Sequence, residues 1–428
     1  MRVGIGLLGL GTVGMGVFRI LKTHAADIAR KTGVRLELKK ICVKSLSKKR
    51  SVKVPRSLLT DDARKLLSDP SIQIVVELIG GIHPAKEIIG KAFQSGKHVV
   101  TANKALLAEQ GSEIFRQARR FGKNLGMEAS VCGGIPLVKS LKEGLASNRI
   151  SHFLGIVNGT CNFILTSMSE EGMNFKEALK EAQARGYAEK DPRLDVEGTD
   201  SAHKLAVLAR LSFGAEVSFK DIFVEGIGSL SSVDIAYAKE LGYGMKLLAI
   251  GKKLGGGLEL RVHPTMLPFN HPLSSVRGVY NAVFVHADQA GDLLFYGKGA
   301  GMFPAASAVM SDVVDIAKQI VRGARESNGR EEKPRKARVL SMDELRSEYY
   351  LHFQVIDKPG VLGRIAQTLG KNRISILSVH QKESHDSKSV PVVILTHQAL
   401  EKNVRRALRA IDAQKDVTAK PVLIRVEK

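Results

Sequence analysis

Residues 3–14 read VGIGLLGLGTVG, an apolar run that leads through a glycine-rich turn into a helical pattern. The turn has the spacing G-x-G-x-x-G at Gly9, Gly11 and Gly14. In this pattern the first glycine allows the tight turn, the second lets a pyrophosphate approach the backbone, and the third lets the helix pack on the strand. The stretch therefore predicts a strand–turn–helix unit that binds a dinucleotide; the alternative is a tight turn without a ligand.

The following residues continue this alternation of short apolar runs and amphipathic stretches. Strands that alternate with helices indicate βαβ units and a parallel sheet. The pattern predicts a Rossmann-type NAD(P)-binding domain over residues 1–130. Its strands are expected at 3–8, 36–43, 74–78 and 98–101, and its helices at 12–30 and 84–94.

Residues 131–320 have longer helical stretches followed by β-rich ones. We interpret them as an α+β substrate-binding, catalytic and dimerisation domain, and we allow for a return of the chain to the first domain near 297–320. Helices are expected at 175–185, 202–213 and 233–254, and strands at 258–265 and 282–287.

Residues 321–345 are polar and charged, which predicts a linker. Residues 346–428 then read βαββαβ, a ferredoxin-like unit. Its strands are expected at 349–356, 375–382, 390–396 and 421–426, and its helices at 361–371 and 400–411. The whole chain is thus expected to be an α/β protein of three domains.

The net charge is high, since 65 basic and 43 acidic residues give +22. Nucleic acid or an anionic surface is one explanation of such a balance, and general solubility charge with local anion sites is the other. No run of about five or six like charges occurs, and aromatic residues, which would stack on bases, are only 5% of the chain. We therefore expect no nucleic-acid partner. No apolar stretch reaches the roughly 18 residues of a membrane span, so no membrane association is expected either.

The three cysteines, Cys42, Cys132 and Cys161, are few, odd in number and unclustered. This argues against a disulfide framework and a zinc site, and it fits a reducing, cytoplasmic location.

The residue after the second strand of such a domain usually decides which nicotinamide cofactor binds, because an acid bonds the ribose 2′-hydroxyl and a base suits a 2′-phosphate. Here Lys44 follows the strand, with Lys48, Lys49 and Arg50 close behind and no acid among them. The sequence predicts a preference for NADP(H) over NAD(H), with NAD(H) kept as the alternative. The lysines would otherwise be an ordinary solvated loop.

Two further segments carry groups suited to proton transfer. Lys104 comes just after a strand, at the edge of the sheet where ligands bind in open α/β folds. Residues 189–200 hold five carboxylates, and Lys204 lies four residues beyond Asp200, on the same helical face. Carboxylates suit a substrate ammonium group, and a lysine among them can donate or accept a proton. The alternatives are a solvated acidic helix start and a metal site, although no histidine stands at ligand spacing.

These segments resemble homoserine dehydrogenase, and the C-terminal unit resembles an ACT domain through its Asp357–Leu362 loop. The resemblance is to the monofunctional bacterial type, because no aspartate kinase domain is fused to the chain. The matching stretches run in family order at 9–14, 75–81, 96–107, 128–136, 155–162, 186–204 and 297–304.

The resemblance implies NAD(P)-dependent interconversion of L-homoserine and L-aspartate 4-semialdehyde, in the pathway to threonine, isoleucine and methionine. Lys204 would donate the proton to the aldehyde oxygen, and Lys104 would support that transfer. Glu189 would contact the substrate ammonium, with Asp195 and Asp200 as further polar residues of the site. The cofactor would be bound by Gly9, Gly11, Thr12, Val13, Gly14, Lys44, Gly80, Thr101, Lys104 and Gly301.

The resemblance also implies a monovalent cation, Na⁺ or K⁺, held largely by main-chain carbonyls. The matching positions are Glu128, Val131, Gly133 and Ile135. The alternative for this segment is a glycine-rich turn between domains.

For the ACT unit the resemblance implies an amino-acid effector, which we expect to be L-threonine as a feedback inhibitor. A dimerisation module without a ligand is the alternative, and a homodimer or homotetramer is expected in either case. The effector residues would be Asp357, Gly360, Val361, Leu362 and Asn372. Two rival functions remain: a semialdehyde dehydrogenase with Cys132 as nucleophile, and a non-catalytic amino-acid sensor that binds the nucleotide.

Overall fold

The computed structural model describes residues 2–50, 52–323, 335–381 and 389–428. The chain forms two compact units from interleaved segments. The first unit, called the N-terminal unit below, contains residues 1–159, 200–222 and 279–337, and the C-terminal unit contains the others. Residues 324–334 of the expected linker, and residue 382 at the end of an expected strand, lie outside the described residues.

The N-terminal unit is built on a six-stranded parallel sheet. Its central strands are mostly apolar and almost entirely buried, as expected of a parallel sheet covered on both faces. The order of the strands reverses beside the first strand, which is the arrangement of dinucleotide-binding folds. In sheet order the strands are Leu59–Thr60, Arg35–Cys42, Arg2–Leu8, Ile74–Glu77, His98–Thr101 and Leu125–Gly126.

The expected helix at 12–30 is wrong in one respect, because the structure divides it at His24. The hydroxyl of Thr23 donates to the carbonyl of Arg19 at 2.9 Å, and such bonds compete with helix continuation. The helices around the parallel sheet are Thr12–Thr23, Ala25–Thr32, Ala63–Leu67, Ala85–Gln94 and Lys104–Arg120.

The helix Met302–Val321 packs against the same sheet, although it comes late in the chain. Val309 and Val313 join Val3 and Ile5 in one buried apolar cluster. Gly16 makes this contact close, because a Cβ there would lie 2.7 Å from the carbonyl oxygen of Met302. The unit also contains the helices Leu137–Lys139 and Thr199–Phe213, a π-helical turn Ser140–Gly144, and the strands Ile150–Ile156, Ala215–Glu216, Tyr280–Ala287, Gly291–Lys298 and Arg335–Lys336.

In the C-terminal unit the expected helix at 233–254 is wrong. The structure has a helix Ser232–Glu240 followed by a strand Tyr243–Leu254. Gly242, with φ +86°, separates the two, a conformation that L-residues with side chains rarely adopt. The run of apolar residues after it is buried in the sheet, and a short buried run does not by itself distinguish strand from helix.

The sheet of the C-terminal unit includes the expected βαββαβ unit. Tyr349, Phe353, Ile365 and Val404 share its buried core. Its last strand is longer than expected and pairs in parallel with Gly257–Pro268, so that Arg425 lies beside Thr265. In sheet order the main strands are Tyr243–Leu254, Gly257–Pro268, Val417–Val426, Arg346–Val355, Val390–Thr396 and Ile376–Gln381.

The remaining elements of this unit are short strands and the helices that cover the sheets. The short strands are Phe223–Val224 and Ala399–Leu400, and the further helices are Gly159–Glu170, Phe175–Ala184, Arg193–Val196, Val361–Lys371 and Glu401–Asp412. Within the residues described, none of the helices is both long enough and apolar enough to cross a membrane.

Candidate active site

The glycine-rich turn forms an open cradle at the end of the first strand. Gly9 has φ +96°, and a Cβ on Gly14 would lie 2.3 Å from the Gly9 carbonyl oxygen, so both positions require glycine. Gly11 is different, because a Cβ there would meet no heavy atom within 4 Å. Thr12 begins the helix, and Gly11 provides no side-chain cap for its first amides. The amides at Thr12 and Val13 thus lie at a helix N-terminus, which suits a phosphate.

A buried carboxylate organises the neighbouring strand ends. Glu77 is fully buried, and its Oε1 accepts the amides of Ile79 at 2.8 Å and Gly80 at 3.2 Å. Its Oε2 accepts the hydroxyl of Thr101 at 2.6 Å. The structure therefore gives Thr101 an internal partner, and Gly80 turns with φ +73° beside it. Sequence reasoning assigned no role to Glu77, although a carboxylate at the end of an apolar strand was a signal.

Two further expected cofactor residues, Lys44 and Gly301, also belong to this unit. Lys44 is exposed after the second strand. Gly301, with φ +122°, is the residue before the helix Met302–Val321 and provides no side-chain cap.

Three of the expected site residues meet in the N-terminal unit. Asp200 and Lys204 lie one turn apart on the helix Thr199–Phe213, and the Lys204 ammonium contacts Oδ2 of Asp200 at 2.8 Å. Lys104, the first residue of the helix Lys104–Arg120, contacts Oδ1 of the same carboxylate. One carboxylate thus holds two ammonium groups from lysines that are far apart in the sequence.

Further polar groups fix this cluster. The carbonyl of Val157 accepts a hydrogen bond from Lys204 at 2.6 Å, and the side-chain amide of Asn158 donates to Asp200 at 2.9 Å. Asn103 accepts the Leu106 amide at 3.1 Å and so caps the helix that begins with Lys104. Asn158 was missed as a site residue; its only signal was its place in a matching stretch.

The electrostatics of the cluster favour an ionised carboxylate. Burial by itself would raise the pKa of Asp200, but the ammonium groups of Lys204 and Lys104 outweigh it and hold this pKa well below its usual range. The side chain of Lys204 is 11% exposed and that of Lys104 is 40% exposed. Lys204 is therefore the sheltered lysine and Lys104 the one nearer to solvent.

Two expected substrate residues belong to the C-terminal unit. Glu189 is exposed, and its main-chain carbonyl accepts the side-chain amide of Gln183 at 3.1 Å. Asp195 is half-buried in the short helix Arg193–Val196, and its carbonyl accepts the amide of Gly198 at 3.0 Å.

The expected cation turn, residues 128–135, has a compact left-handed bend, with φ +56° at Cys132 and +37° at Gly133. The carbonyl of Ile135 accepts the amide of Leu137 at 2.7 Å. The expected ligand at Glu128 is its main-chain carbonyl. The side-chain carboxylate of Glu128 has other partners, because it accepts the amides of Val138 and Lys139. The described residues contain no cluster of acidic, histidine and cysteine side chains that could hold a metal ion.

Cys132 itself is buried, and burial raises the pKa of its thiol to about 12. A thiol in this environment is protonated at neutral pH and is a poor nucleophile. The rival function that uses a cysteine nucleophile is thus disfavoured.

Four of the five expected effector residues lie at or just before the start of the helix Val361–Lys371. Gly360, with φ +88°, precedes the helix and gives it no side-chain cap. Asp357 is exposed, Val361 is buried and Leu362 is 38% exposed. Asn372 lies at the other end of the helix, where its side chain donates to the Thr368 carbonyl and accepts from Arg406.

Comparisons with known proteins agree with this architecture. The family model "Homoserine dehydrogenase" matches residues 136–314, "Homoserine dehydrogenase, NAD binding domain" matches 9–128, and "ACT domain" matches 349–413. The chain is 46% identical to the homoserine dehydrogenase of Neisseria gonorrhoeae, over 99% of this chain and 98% of that protein. It is 43% identical to that of Pseudomonas aeruginosa, over 100% and 99%.

Solved structures give the same answer. A homoserine dehydrogenase from Thiobacillus denitrificans superposes with a TM-score of 0.94 at 42% identity, covering 100% of this chain and 99% of that one. A hyperthermophilic archaeal homoserine dehydrogenase, solved in complex with NADPH, matches at a TM-score of 0.61 and 26% identity, over 74% of this chain and 98% of that one. The resemblance and the α/β fold class expected from the sequence are confirmed. The chain belongs to the homoserine dehydrogenase family, and it is an oxidoreductase that acts on a CH–OH group with NAD(P).

Proposed function

We propose that this enzyme interconverts L-homoserine and L-aspartate 4-semialdehyde, in the biosynthesis of threonine, methionine and isoleucine. The observation that carries the proposal is the cluster of Lys104, Asp200 and Lys204. Reduction of an aldehyde leaves a developing negative charge on its oxygen, and this cluster offers a positioned ammonium group to receive it.

The glycine-rich cradle fits the cofactor, because the space beside Gly11 is open while Gly9 and Gly14 close the turn. When bound, the nicotinamide cofactor supplies or accepts the hydride. We propose NADP(H) as the preferred form, on the basis of the exposed Lys44 and the absence of an acid in the following loop. The NADPH complex of the archaeal relative supports this preference. NAD(H) is the alternative.

Lys204 is the proposed proton donor in the reducing direction. Its ammonium gives one proton to the aldehyde oxygen as the hydride adds to the carbonyl carbon, leaving an alcohol and a neutral amine. The Val157 carbonyl and the Asp200 carboxylate fix its position before the reaction. Lys104 is the more exposed lysine and supports return of the proton from solvent.

Substrate recognition is proposed to use carboxylates of the acidic segment. Glu189 would bind the substrate ammonium, with Asp195 and Asp200 as further polar residues. Their negative charge complements the ammonium group of an amino acid, and the reacting group of that amino acid lies at the far end of its side chain.

A monovalent cation, Na⁺ or K⁺, is proposed at the main-chain carbonyls of Glu128, Val131, Gly133 and Ile135. The left-handed bend at 132–133 supports this proposal, because it turns the chain sharply within a few residues.

The ACT domain is proposed to bind L-threonine as a feedback inhibitor. The uncapped start of the helix Val361–Lys371 provides amides for a carboxylate, and Asp357 is exposed beside it. A homodimer or homotetramer and a cytoplasmic location complete the proposal. The proposed reducing compartment rests on the three cysteines, which are few, odd in number and unclustered in the sequence.

The test is absorbance of the nicotinamide during incubation with L-homoserine and NADP⁺ or NAD⁺, in the presence of Na⁺ or K⁺. We expect homoserine-dependent reduction that is faster with NADP⁺ and slower when L-threonine is added. If the folded protein binds NADPH but reduces neither cofactor, the non-catalytic sensor becomes the better interpretation.

A further inference from the structure

The last strand of the ACT domain carries a buried arginine with partners on two sides. The side chain of Arg425 is 2% exposed. Its Nε and Nη2 donate to the two oxygens of Glu401 at 3.0 and 2.5 Å. Its Nη1 donates to Oε2 of Glu225 at 2.9 Å. Because Glu401 is fully buried and paired with it through two bonds, Arg425 is rigidly held.

Glu225 lies in a stretch that packs directly on residues 189–198, called the substrate segment below because they contain the proposed substrate residues Glu189 and Asp195. Its amide donates to the Val262 carbonyl at 2.8 Å, and the next amide but one, that of Ile227, donates to the Val196 carbonyl at 2.9 Å. A Cβ on the intervening Gly226 would lie 2.3 Å from that same oxygen. The two backbones are therefore in contact, with no room for an independent shift.

The same segment holds Asp195. Its carbonyl accepts the Cys161 thiol at 3.2 Å and the amide of Gly198 at 3.0 Å. Gly198 turns with φ +87° against the side chain of Val224. The position of Asp195 thus depends on a backbone that rests on residues 224–227.

We propose that Arg425 and Glu225 are positioning residues for the reaction, and that they act by holding the segment that contains Asp195. This rests on the proposed function, in which Asp195 is a substrate residue. Arg425 and Glu401 already form an ion pair with two hydrogen bonds. The third hydrogen bond of Arg425, to the 34% exposed Glu225, is therefore not needed to neutralise a buried charge. Its effect is to fix residues 223–227, which contact the substrate segment.

The test compares Glu225→Ala with Glu225→Gln, which keeps an oxygen that can accept from Arg425. We expect Glu225→Ala to raise the KM for homoserine by about threefold to thirtyfold, the range for changes that act through a packed network. The KM for NADP⁺ is expected to stay within about twofold of the wild-type value. Glu225→Gln is expected to recover most of the loss. Lys428→Ala, which removes a neighbouring exposed ion pair with Glu348, is the control and should change neither constant.

A double-mutant cycle with Asp195→Asn separates positioning from a general structural effect. If Glu225 acts through Asp195, the two losses are not additive; additive losses, an unchanged KM or an equal rise in both KM values would overturn the inference. Hydrogen exchange gives a readout without activity, because the amides of Ile227 and Gly198 should exchange faster in Glu225→Ala. Unchanged exchange would also overturn it. A wild-type enzyme that does not oxidise homoserine contradicts the proposed function instead, and the exchange measurement still decides whether this contact holds the segment.

Discussion

Asp200 is the residue on which the two lysines of the site converge, and its own side chain is 6% exposed. A buried carboxylate is costly unless it is paired, and here two ammonium groups and the Asn158 amide satisfy it. The same contacts hold each lysine in place before any substrate binds. At this scale the roles of residues follow from burial and charge, and three predictions can be made.

Replacing Lys204 by alanine should remove the proposed proton donor. We expect kcat to fall by about a hundredfold or more, the usual contribution of a positioned acid or base, while NADPH affinity stays close to wild type. Steady-state kinetics and fluorescence titration with NADPH measure the two effects. Lys220→Ala, at an exposed position beyond the same helix, should leave both unchanged. An equal loss of cofactor binding in Lys204→Ala would contradict the assigned role.

Replacing Cys132 by alanine should leave turnover intact, because a buried thiol with its pKa raised to about 12 is not a nucleophile at neutral pH. The measurement is kcat/KM for homoserine, together with iodoacetamide treatment of the wild type. Loss of turnover in a variant with an unchanged melting temperature would favour the rival enzyme with a cysteine nucleophile.

His98 should make the folded protein less stable in acid. Burial, with a smaller contribution from Lys123, lowers the pKa of His98 from 6.5 to about 4. Between these values the unfolded chain binds a proton that the folded chain does not, so stability is full above about pH 6.5 and falls as the pH drops towards 4. The shift corresponds to about 2.5 kcal/mol at pH 4.5.

Urea unfolding at pH 7.5 and 4.5 tests this prediction. In His98→Asn the acid-induced loss of unfolding free energy should be smaller than in wild type by about 2.5 kcal/mol. The difference between the two proteins isolates the effect of His98 from that of other buried groups, such as His263, whose pKa is also lowered by burial. An identical loss in both proteins would show that His98 is protonated when folded.

At the scale of elements, the glycine-rich turn joins the first strand to the first helix, and each glycine serves a different contact. Gly14 allows the helix to approach the Gly9 carbonyl, and Gly16 allows it to approach the helix Met302–Val321. A Cβ on Gly11 would meet no heavy atom of the described residues within 4 Å. Gly14 and Gly16 therefore allow close packing within the protein, and Gly11 leaves space beside the helix N-terminus.

Alanine at Gly11 and at Gly14 should have different effects. Gly11, with φ −79°, accepts alanine without strain, so the melting temperature should hold while the KM for NADP⁺ rises by about tenfold. In Gly14→Ala the new Cβ meets the Gly9 carbonyl, which should lower the melting temperature by about 5 °C and impair binding as well.

Gly144→Ala, which also meets no atom within 4 Å, is the matched control and should affect neither quantity. An unchanged KM in Gly11→Ala would mean that the open space is not the cofactor cradle.

At the scale of the whole molecule, the C-terminal unit joins the ACT domain and part of the catalytic region through one sheet. The strand Val417–Val426 pairs with Arg346–Val355 on one side and with Gly257–Pro268 on the other. The buried residues Arg425 and Glu427 each reach side chains on the catalytic side, Glu225 and Arg261. The last strand of the ACT domain is thus tied to residues 225 and 261 of the same unit.

Replacing Asp357 by alanine should weaken threonine inhibition and spare catalysis. We expect the inhibition constant for L-threonine to rise by about tenfold or more, because an exposed carboxylate that binds the effector ammonium contributes on the order of 1–3 kcal/mol. Homoserine oxidation with increasing L-threonine measures it. The control is Asp343→Ala, which removes an exposed acid outside the loop. L-threonine should inhibit this variant as it inhibits the wild type. Full inhibition in Asp357→Ala would contradict the proposed effector site.

Much of the fold could be predicted because the signals are local. The turn at 9–14, the apolar runs of the parallel sheet and the βαββαβ order of the last domain each depend on residues that are close in sequence. The errors at His24 and Gly242 arose where one residue ended an element inside a pattern that continued. A hydroxyl bonded back to the helix in one case, and a left-handed glycine in the other, outweighed the periodicity.

The sequence by itself determined the chemical groups of the site and their family, since the spacing of glycines, lysines and carboxylates is contained in short segments. Only the tertiary structure decided that Lys104 and Lys204 share one carboxylate, that Glu77 ties the strand ends together, and that Arg425 reaches Glu225. These contacts join residues distant in the chain. Distances between such residues are set by how sheets and helices pack, and local sequence patterns do not encode them.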